Sequence, residues 1–146
     1  MEWKPKTIIA GIDGSEGSTR AAEVATEMAR SWQAKLLLVT VVRPPEGWWG
    51  IGGAPPSPEA LSSALAEGQQ QVLDEVEEHL RLEGISYETI QELGDPAWKL
   101  ISVGDSNHAD LIVIGRRGAG LAERMILGSV ADRLCHHSTV PVMVVP

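Results

Sequence analysis

The sequence predicts an α/β fold, an open five-stranded parallel sheet with helices on both faces. Two observations predict it. Apolar, often β-branched runs recur with too few polar positions for half-exposed strands, as expected where helices cover both sides of a sheet. Segments with apolar residues at helical spacing alternate with those runs. Five strands to four helices is the pattern of parallel strands joined by right-handed crossovers.

The first run is TIIAGI (7–12), followed by the turn DGSEGS and by AAEVATEMARSW (21–32) at helical spacing. KLLLVTVV (35–42) reads as a central strand. Residues 43–58, RPPEGWWGIGGAPPSP, are too rich in proline and glycine for regular structure and form a long connection. From Glu59 to Leu82 the pattern is helical, with Leu61, Leu65, Val72, Val76 and Leu80 on the apolar side and Gly68 as its weak point. ISYETIQEL (85–93) is a more polar, outer strand. GDPAWKLISVGDSNHA (94–109) opens with aspartate and proline at a helix start. DLIVIG (110–115) is another buried strand, and a last helix near 129–138 leads into VPVMVV (140–145). With no internal repeat, residues 1–146 are expected to form a single domain.

A net charge of −8 and a pI near 4.9 disfavour a nucleic-acid partner, which needs a broad excess of lysine and arginine. No apolar run approaches the roughly 20 residues of a membrane span, and MEWKPK lacks the marks of a signal peptide, so the cytoplasm is the expected location. A lone cysteine, Cys135, leaves no internal disulfide or CxxC pair.

In open parallel sheets ligands settle beyond the carboxyl ends of the strands, where consecutive connections leave toward opposite faces. A strand order of 3-2-1-4-5 makes the tips of the first and fourth strands neighbours at that point. GIDGS places Asp13 at the first tip, and GRRGAGLAERMILGS (115–129) begins at the fourth. The latter has the spacing G-x2-G-x9-G-S, through Gly115, Gly118, Gly128 and Ser129. Glycines permit close backbone approach, and Gly128-Ser129 leads into a helix whose first amides suit an anion. A second reading competes: Ser129 and Asp132 fit the S-x-x-D pattern of a self-capped helix. Asp13 likewise is either a residue capping the first helix or a ligand contact. Arg116, Arg117 and Arg124 make a local basic patch with Glu123 its sole acidic member, open to a phosphate role or to plain solvation.

Across nearly its whole length the chain resembles the universal stress protein family, in its ATP-binding branch. IIAGIDGSEGS, LLLVTVV, GDPAWKLI, ADLIVIGRRG and LGSVADRLCHHSTVPVMVV carry the resemblance, the glycine spacing most diagnostically. It implies a Rossmann-like fold similar to the adenine nucleotide alpha hydrolases, with ATP, and Mg2+ beside it, lying across the crevice. Asp13 would meet the ribose and the main chain at Val41 the adenine. Gly115, Arg117, Gly118, Gly128, Ser129 and Val130 would hold the phosphates, while Ala10, Gly11, Ile12 and Ile114 line the crevice. Arg116 departs from the family pattern, which commonly has a small hydroxyl residue there, and an arginine in its place either adds charge or crowds the phosphate. The resemblance also implies a homodimer through the C-terminal strand, and a regulatory, stress-response role with little or no turnover. The rival readings are a slow ATP hydrolase or phosphotransferase, and an interaction domain without nucleotide. The HxGH and SGGxD signatures of related adenine-binding enzymes do not occur.

Cys135, His136 and His137 cannot together face one metal ion, because neighbours on a helix point about 100° apart. The histidine pair instead suits the carboxyl end of the last helix. His79 and His108 read as surface residues. Trp48 and Trp49 serve as a lid over the crevice, as a contact buried in a partner, or, most commonly for such residues, as packing on their own domain. VPVMVV, an apolar strand at a sheet edge, would be an aggregation hazard unless paired across a two-fold axis.

Overall fold

The computed structural model describes residues 2–44, 57–117 and 127–146. The chain forms β1 (Thr7–Ile12), α1 (Glu16–Trp32), β2 (Lys35–Val42), α2 (Pro58–His79), β3 (Tyr87–Leu93), α3 (Pro96–Ser106), β4 (Leu111–Gly115), α4 (Ser129–His137) and β5 (Val142–Val145). The sheet order is β3-β2-β1-β4-β5 with every pairing parallel, as the sequence predicts. No helix among the described residues is long and apolar enough to cross a membrane.

Strand alternation divides the core into two layers. Ile8, Ala10, Leu36, Leu38, Leu111 and Val113 face α1 and α2, where Ala21, Ala22, Ala25, Leu73 and Val76 pack on them. Ile9, Leu37, Val39, Ile112 and Ile114 face α3 and α4 and meet Leu100, Val103, Ala131 and Leu134. Helices therefore change face between the connection after β1 and the connection after β4, which sets the switch point between those strands. Buried Gln69 on α2 ties the tips of β2 and β3 by donating Nε2 to the carbonyls of Thr40 (3.3 Å) and Glu92 (2.8 Å).

Several boundaries differ from the sequence reading. Helix α1 begins at Glu16, ahead of the apolar-periodic segment at Ala21, because the Ser15 hydroxyl accepts the Ser18 N–H and starts the helix within the turn. Asp13 is therefore not the cap. Helix α2 stops at His79 instead of running to Leu82, and Leu80 is already extended. Residues two apart on a helix point about 200° apart. Extended backbone instead brings Leu80 and Leu82 onto the same core layer, where both pack. Ile85 follows a turn in which its N–H meets the Leu82 carbonyl, so β3 starts at Tyr87.

Two local devices hold the ends of the sheet together. At the tip of β4, a Cβ on Gly115 would lie 2.7 Å from the Gly17 carbonyl carbon and 3.1 Å from the Ser18 nitrogen. The first turn of α1 thus packs backbone to backbone on β4. At the tip of β2, Asp95 caps α3 by accepting the Trp98 N–H (3.1 Å) through Oδ2, with Pro96 in the first turn. Its Oδ1 accepts Arg43 (2.6 Å) and Arg133 (2.7 Å), joining β2, α3 and α4.

Two outcomes follow in stability. Gly115→Ala is expected to lose about 1–3 kcal/mol, because the atoms it meets are backbone that cannot rotate away; an unchanged urea midpoint would count against the packing described. For Asp95 the cap outweighs the ion pairs, since the partner arginines are exposed and such pairs contribute little. Asp95→Ala should therefore lose about 1 kcal/mol or more and Asp95→Asn clearly less, with equal losses in chemical denaturation contradicting that ranking.

Candidate functional site

A cavity of about 260 Å³ opens at the carboxyl ends of β1 and β4, at the switch point. Its size is near the lower end of small-ligand pockets. One end is apolar, walled by Val39 and Val41 from β2, Pro96 and Leu100 from α3, Ile114 from β4, and Ala131 from α4. The other end is polar, with Asp13, Ser18, Arg116, Arg117, Gly128 and Ser129. Gly11 keeps the space between them open: a Cβ there would approach Ile114 Cγ2 to 3.1 Å and Leu100 Cδ1 to 3.3 Å.

Of the residues the sequence singles out, the structure brings Gly11, Ile12, Asp13, Val41, Ile114, Gly115, Arg117, Gly128, Ser129 and Val130 to this cavity. Ala10 is not among them. It is fully buried in the other layer of the core, because alternation turns it toward α1 and α2 while Gly11 faces α3. Gly118, Glu123 and Arg124 lie outside the described residues, as do Trp48 and Trp49.

Val39, Pro96, Leu100 and Ala131 are wall residues that the sequence reading missed. A signal for two of them exists: Val39 shares a strand face with Val41, and Leu100 stands one helical turn beyond Pro96. Nothing local marks Ser18, which comes to the cavity because α1 starts early. Its hydroxyl accepts the Asp13 N–H at 3.2 Å.

Asp13 stands exposed at the tip of β1, and its Oδ1 accepts both the backbone N–H (2.9 Å) and the hydroxyl of Ser15. That turn fixes the carboxylate at the cavity mouth, two residues ahead of the cap. Ser129, by contrast, is not a cap. Gly128 holds the N-cap position, extended at φ −70° and ψ 161°, with its N–H given to the Arg116 carbonyl (2.7 Å) and its own carbonyl accepting Asp132 N–H (2.9 Å). Since the cap is a glycine, no side-chain cap bond reaches the first amides of α4 among the described residues. Helices α1, α2 and α3 all have such a bond, from Ser15, Ser57 and Asp95. The S-x-x-D pattern misleads because it is one residue out of register with the helix start.

Arg116 continues the β4 ladder by donating its N–H to the Val145 carbonyl at 2.8 Å. Its Nε is buried and has no hydrogen-bond partner among the described residues. At the far end of α4, His136 Nδ1 lies 2.8 Å from the Asp132 carbonyl, a contact within the last turns, whereas His137 packs on Trp98 with ring centroids 5.0 Å apart. His79 and His108 are exposed, and Cys135 is an exposed free thiol.

The universal stress protein family matches residues 4–146. A universal stress protein of Methanocaldococcus jannaschii is 33% identical over 147 aligned positions, covering 96% of this chain and 81% of the relative. Among solved structures, the universal stress protein UspA from Lactobacillus plantarum superposes with a TM-score of 0.81 at 21% identity, covering 99% of this chain and all of that one. Two further neighbours of the same fold were solved with ligands. One is a universal stress protein in complex with cAMP, with a TM-score of 0.68 at 24% identity over 98% of each chain. The other is the Archaeoglobus fulgidus protein in complex with dAMP, with a TM-score of 0.62 at 21% identity over the full length of both. With a match that leaves out only its first three residues, and a relative a third identical over most of both lengths, the chain belongs to the universal stress protein family.

Proposed function

We propose that this protein binds an adenine nucleotide, ATP above all, in the crevice between β1 and β4, and acts as a nucleotide-dependent regulatory module. The carrying observation is the α4 start, a helix N-terminus without a side-chain cap at the polar end of an otherwise apolar cavity. Such an end presents amide donors and a positive dipole to an anion. Neighbours of the same fold solved with cAMP and dAMP support an adenine nucleotide as the class.

In this reading adenine lies against Val39, Val41, Pro96, Leu100 and Ile114, with the Val41 main chain at its edge. Asp13 accepts from the ribose hydroxyls. The amides of Ser129 and Val130 take phosphate oxygens, with Gly115, Arg117, Gly118 and Gly128 around them. Mg2+, where it accompanies the nucleotide, would be held chiefly by the phosphates, with Asp13 and Ser129 as the oxygen donors of this chain. Charged hydrogen bonds contribute about 1.5–3 kcal/mol each, and micromolar binding needs about 8 kcal/mol net of association costs. Burial of the base must therefore carry much of the affinity, which suits the apolar end.

Regulation would work by linkage: the nucleotide stabilises the loop arrangement that holds it, and any partner preferring that arrangement responds to its level. We place the protein in the cytoplasm, as a homodimer joined through β5. The carbonyls of Pro141 and Val145 accept from Ile112 and Arg116. Alternation then turns the N–H groups of Val142 and Val144 away from β4, toward an edge with no partner among the described residues.

Titration calorimetry of nucleotide-free protein should show ATP binding, with little phosphate release over hours; rapid release would favour the hydrolase reading. At a hundredfold excess over Kd, ATP should add about 2.7 kcal/mol, or roughly 5–11 °C in Tm for a chain of this size. Ser129→Asp separates the site from the fold, since a carboxylate at a helix start stabilises the helix yet repels phosphate. Tm should hold or rise while ATP affinity falls at least about tenfold, and retained affinity would place the phosphates elsewhere. Val144→Pro removes only an outward N–H. It should halve the mass seen in sedimentation without abolishing nucleotide binding, and an unchanged dimer would move the interface off β5.

A further inference from the structure

We infer that Arg116 is a specificity-determining residue, the guanidinium through which this site selects nucleotides with two or three phosphates over monophosphates. The inference rests on the nucleotide reading above and goes beyond it, because neither the glycine spacing nor the helix start explains an arginine here.

The backbone of Arg116 is held on both sides. Its N–H meets Val145 and its carbonyl accepts Gly128, the cap of α4. Because the first of these bonds extends the β4 ladder by one residue, side-chain alternation extends with it. Ile112 and Ile114 face the layer of α3 and α4, Gly115 faces α1, and Arg116 returns to the cavity side. The side chain thus emerges beside the uncapped helix start, where the phosphates of a bound nucleotide would lie.

Its hydrogen-bonding state is unusual. Among the described residues one other buried arginine Nε lacks a hydrogen bond, that of Arg30. Arg30 nevertheless gives Nη1 to the Glu83 carbonyl (3.0 Å) and Nη2 to the Arg81 carbonyl, and it lies 3.6 Å from Glu27. Arg43 and Arg133, also near the rim, are both taken by Asp95. Arg116 makes no side-chain hydrogen bond or ion pair among the described residues, and a buried N–H without a partner is destabilising. The side chain lines the cavity, where an anion would give the guanidinium an acceptor once the side chain turns toward it.

A guanidinium offers a planar fork that matches phosphate oxygens in pairs. A monophosphate whose oxygens already meet the α4 amides has few left for it, whereas a β- or γ-phosphate brings further oxygens and charge. Loss of the arginine should therefore affect ATP and ADP far more than AMP.

The test is calorimetry of the wild type, Arg116→Ser and Arg116→Lys with ATP, ADP and AMP, in EDTA so that no divalent cation contributes to selectivity. Arg116→Ser should lower ATP affinity by about tenfold to a hundredfold and change AMP affinity by less than about threefold. Arg116→Lys, which keeps the charge and loses the fork, should fall between. Thermal melting establishes that each variant is folded, and Arg116→Lys serves alone if the serine variant is not. Equal losses for ATP and AMP, or none for either, would overturn the role of Arg116 and leave the nucleotide site standing. A wild type that binds none of the three nucleotides would overturn both.

Discussion

The tightest approach at any described glycine is the backbone contact between Gly115 at the tip of β4 and Gly17 in the first turn of α1. Carbonyl, amide and α-carbon meet there without intervening side chains, and a Cβ on Gly17 would in turn press the Arg117 carbonyl at 3.1 Å. The spacing of the β1 and β4 connections is set at this point, and so is the depth of the crevice between them. Gly115 therefore has a structural duty whether or not a phosphate lies nearby. A glycine in a recognition pattern need not contact the ligand to be required by the pattern.

Net charge and local charge point in opposite directions here. The chain as a whole is acidic, yet among the described residues the cavity lining has Arg116, Arg117 and an amide-rich helix start with Asp13 as its carboxylate. Asp95 sharpens the contrast at the rim by drawing Arg43 and Arg133 together. An acidic surface repels polyanions such as nucleic acid over a Debye length of about 8–10 Å, while a small anion that enters the crevice meets donors at contact distance. Discrimination between a phosphate polymer and a nucleotide can thus come from geometry at two length scales.

Much of this arrangement was legible in the sequence, because the information is carried by periodicity. Buried runs such as KLLLVTVV and LIVIG mark strands covered on both faces, and Asp95-Pro96 marks the start of α3, where Asp95 caps and Pro96 opens the helix. What was illegible depends on register. Ser15 and Ser129 each precede or open a helix, and Ser129 is the one that fits the S-x-x-D pattern, yet only Ser15 caps. Sequence does not distinguish them, since the choice is made by a tertiary bond, Gly128 N–H to the Arg116 carbonyl, that fixes where α4 begins. Ala10 was assigned to the crevice by the resemblance, while strand alternation turns it to the layer of α1 and α2. The dual engagement of Asp95 by Arg43 and Arg133 joins positions far apart in the chain, and no local pattern records it.

The bonds around Arg116 bear on how a nucleotide signal could leave the site. The Val145 carbonyl on β5 holds the Arg116 N–H, and the Arg116 carbonyl holds the Gly128 N–H at the start of α4. One residue therefore stands between the edge strand and the proposed phosphate site. A ligand that reorients the α4 start acts on Arg116 through backbone, and Arg116 acts on the last residue of β5. Contiguity alone is not coupling; the edge must also have two states of different energy. A dimer that forms and dissociates through β5 would supply them, and nucleotide would then shift that equilibrium by its difference in affinity for the paired and unpaired edge. By the same linkage, dimerisation would alter nucleotide affinity by an equal factor, so both effects trace to the same pair of hydrogen bonds.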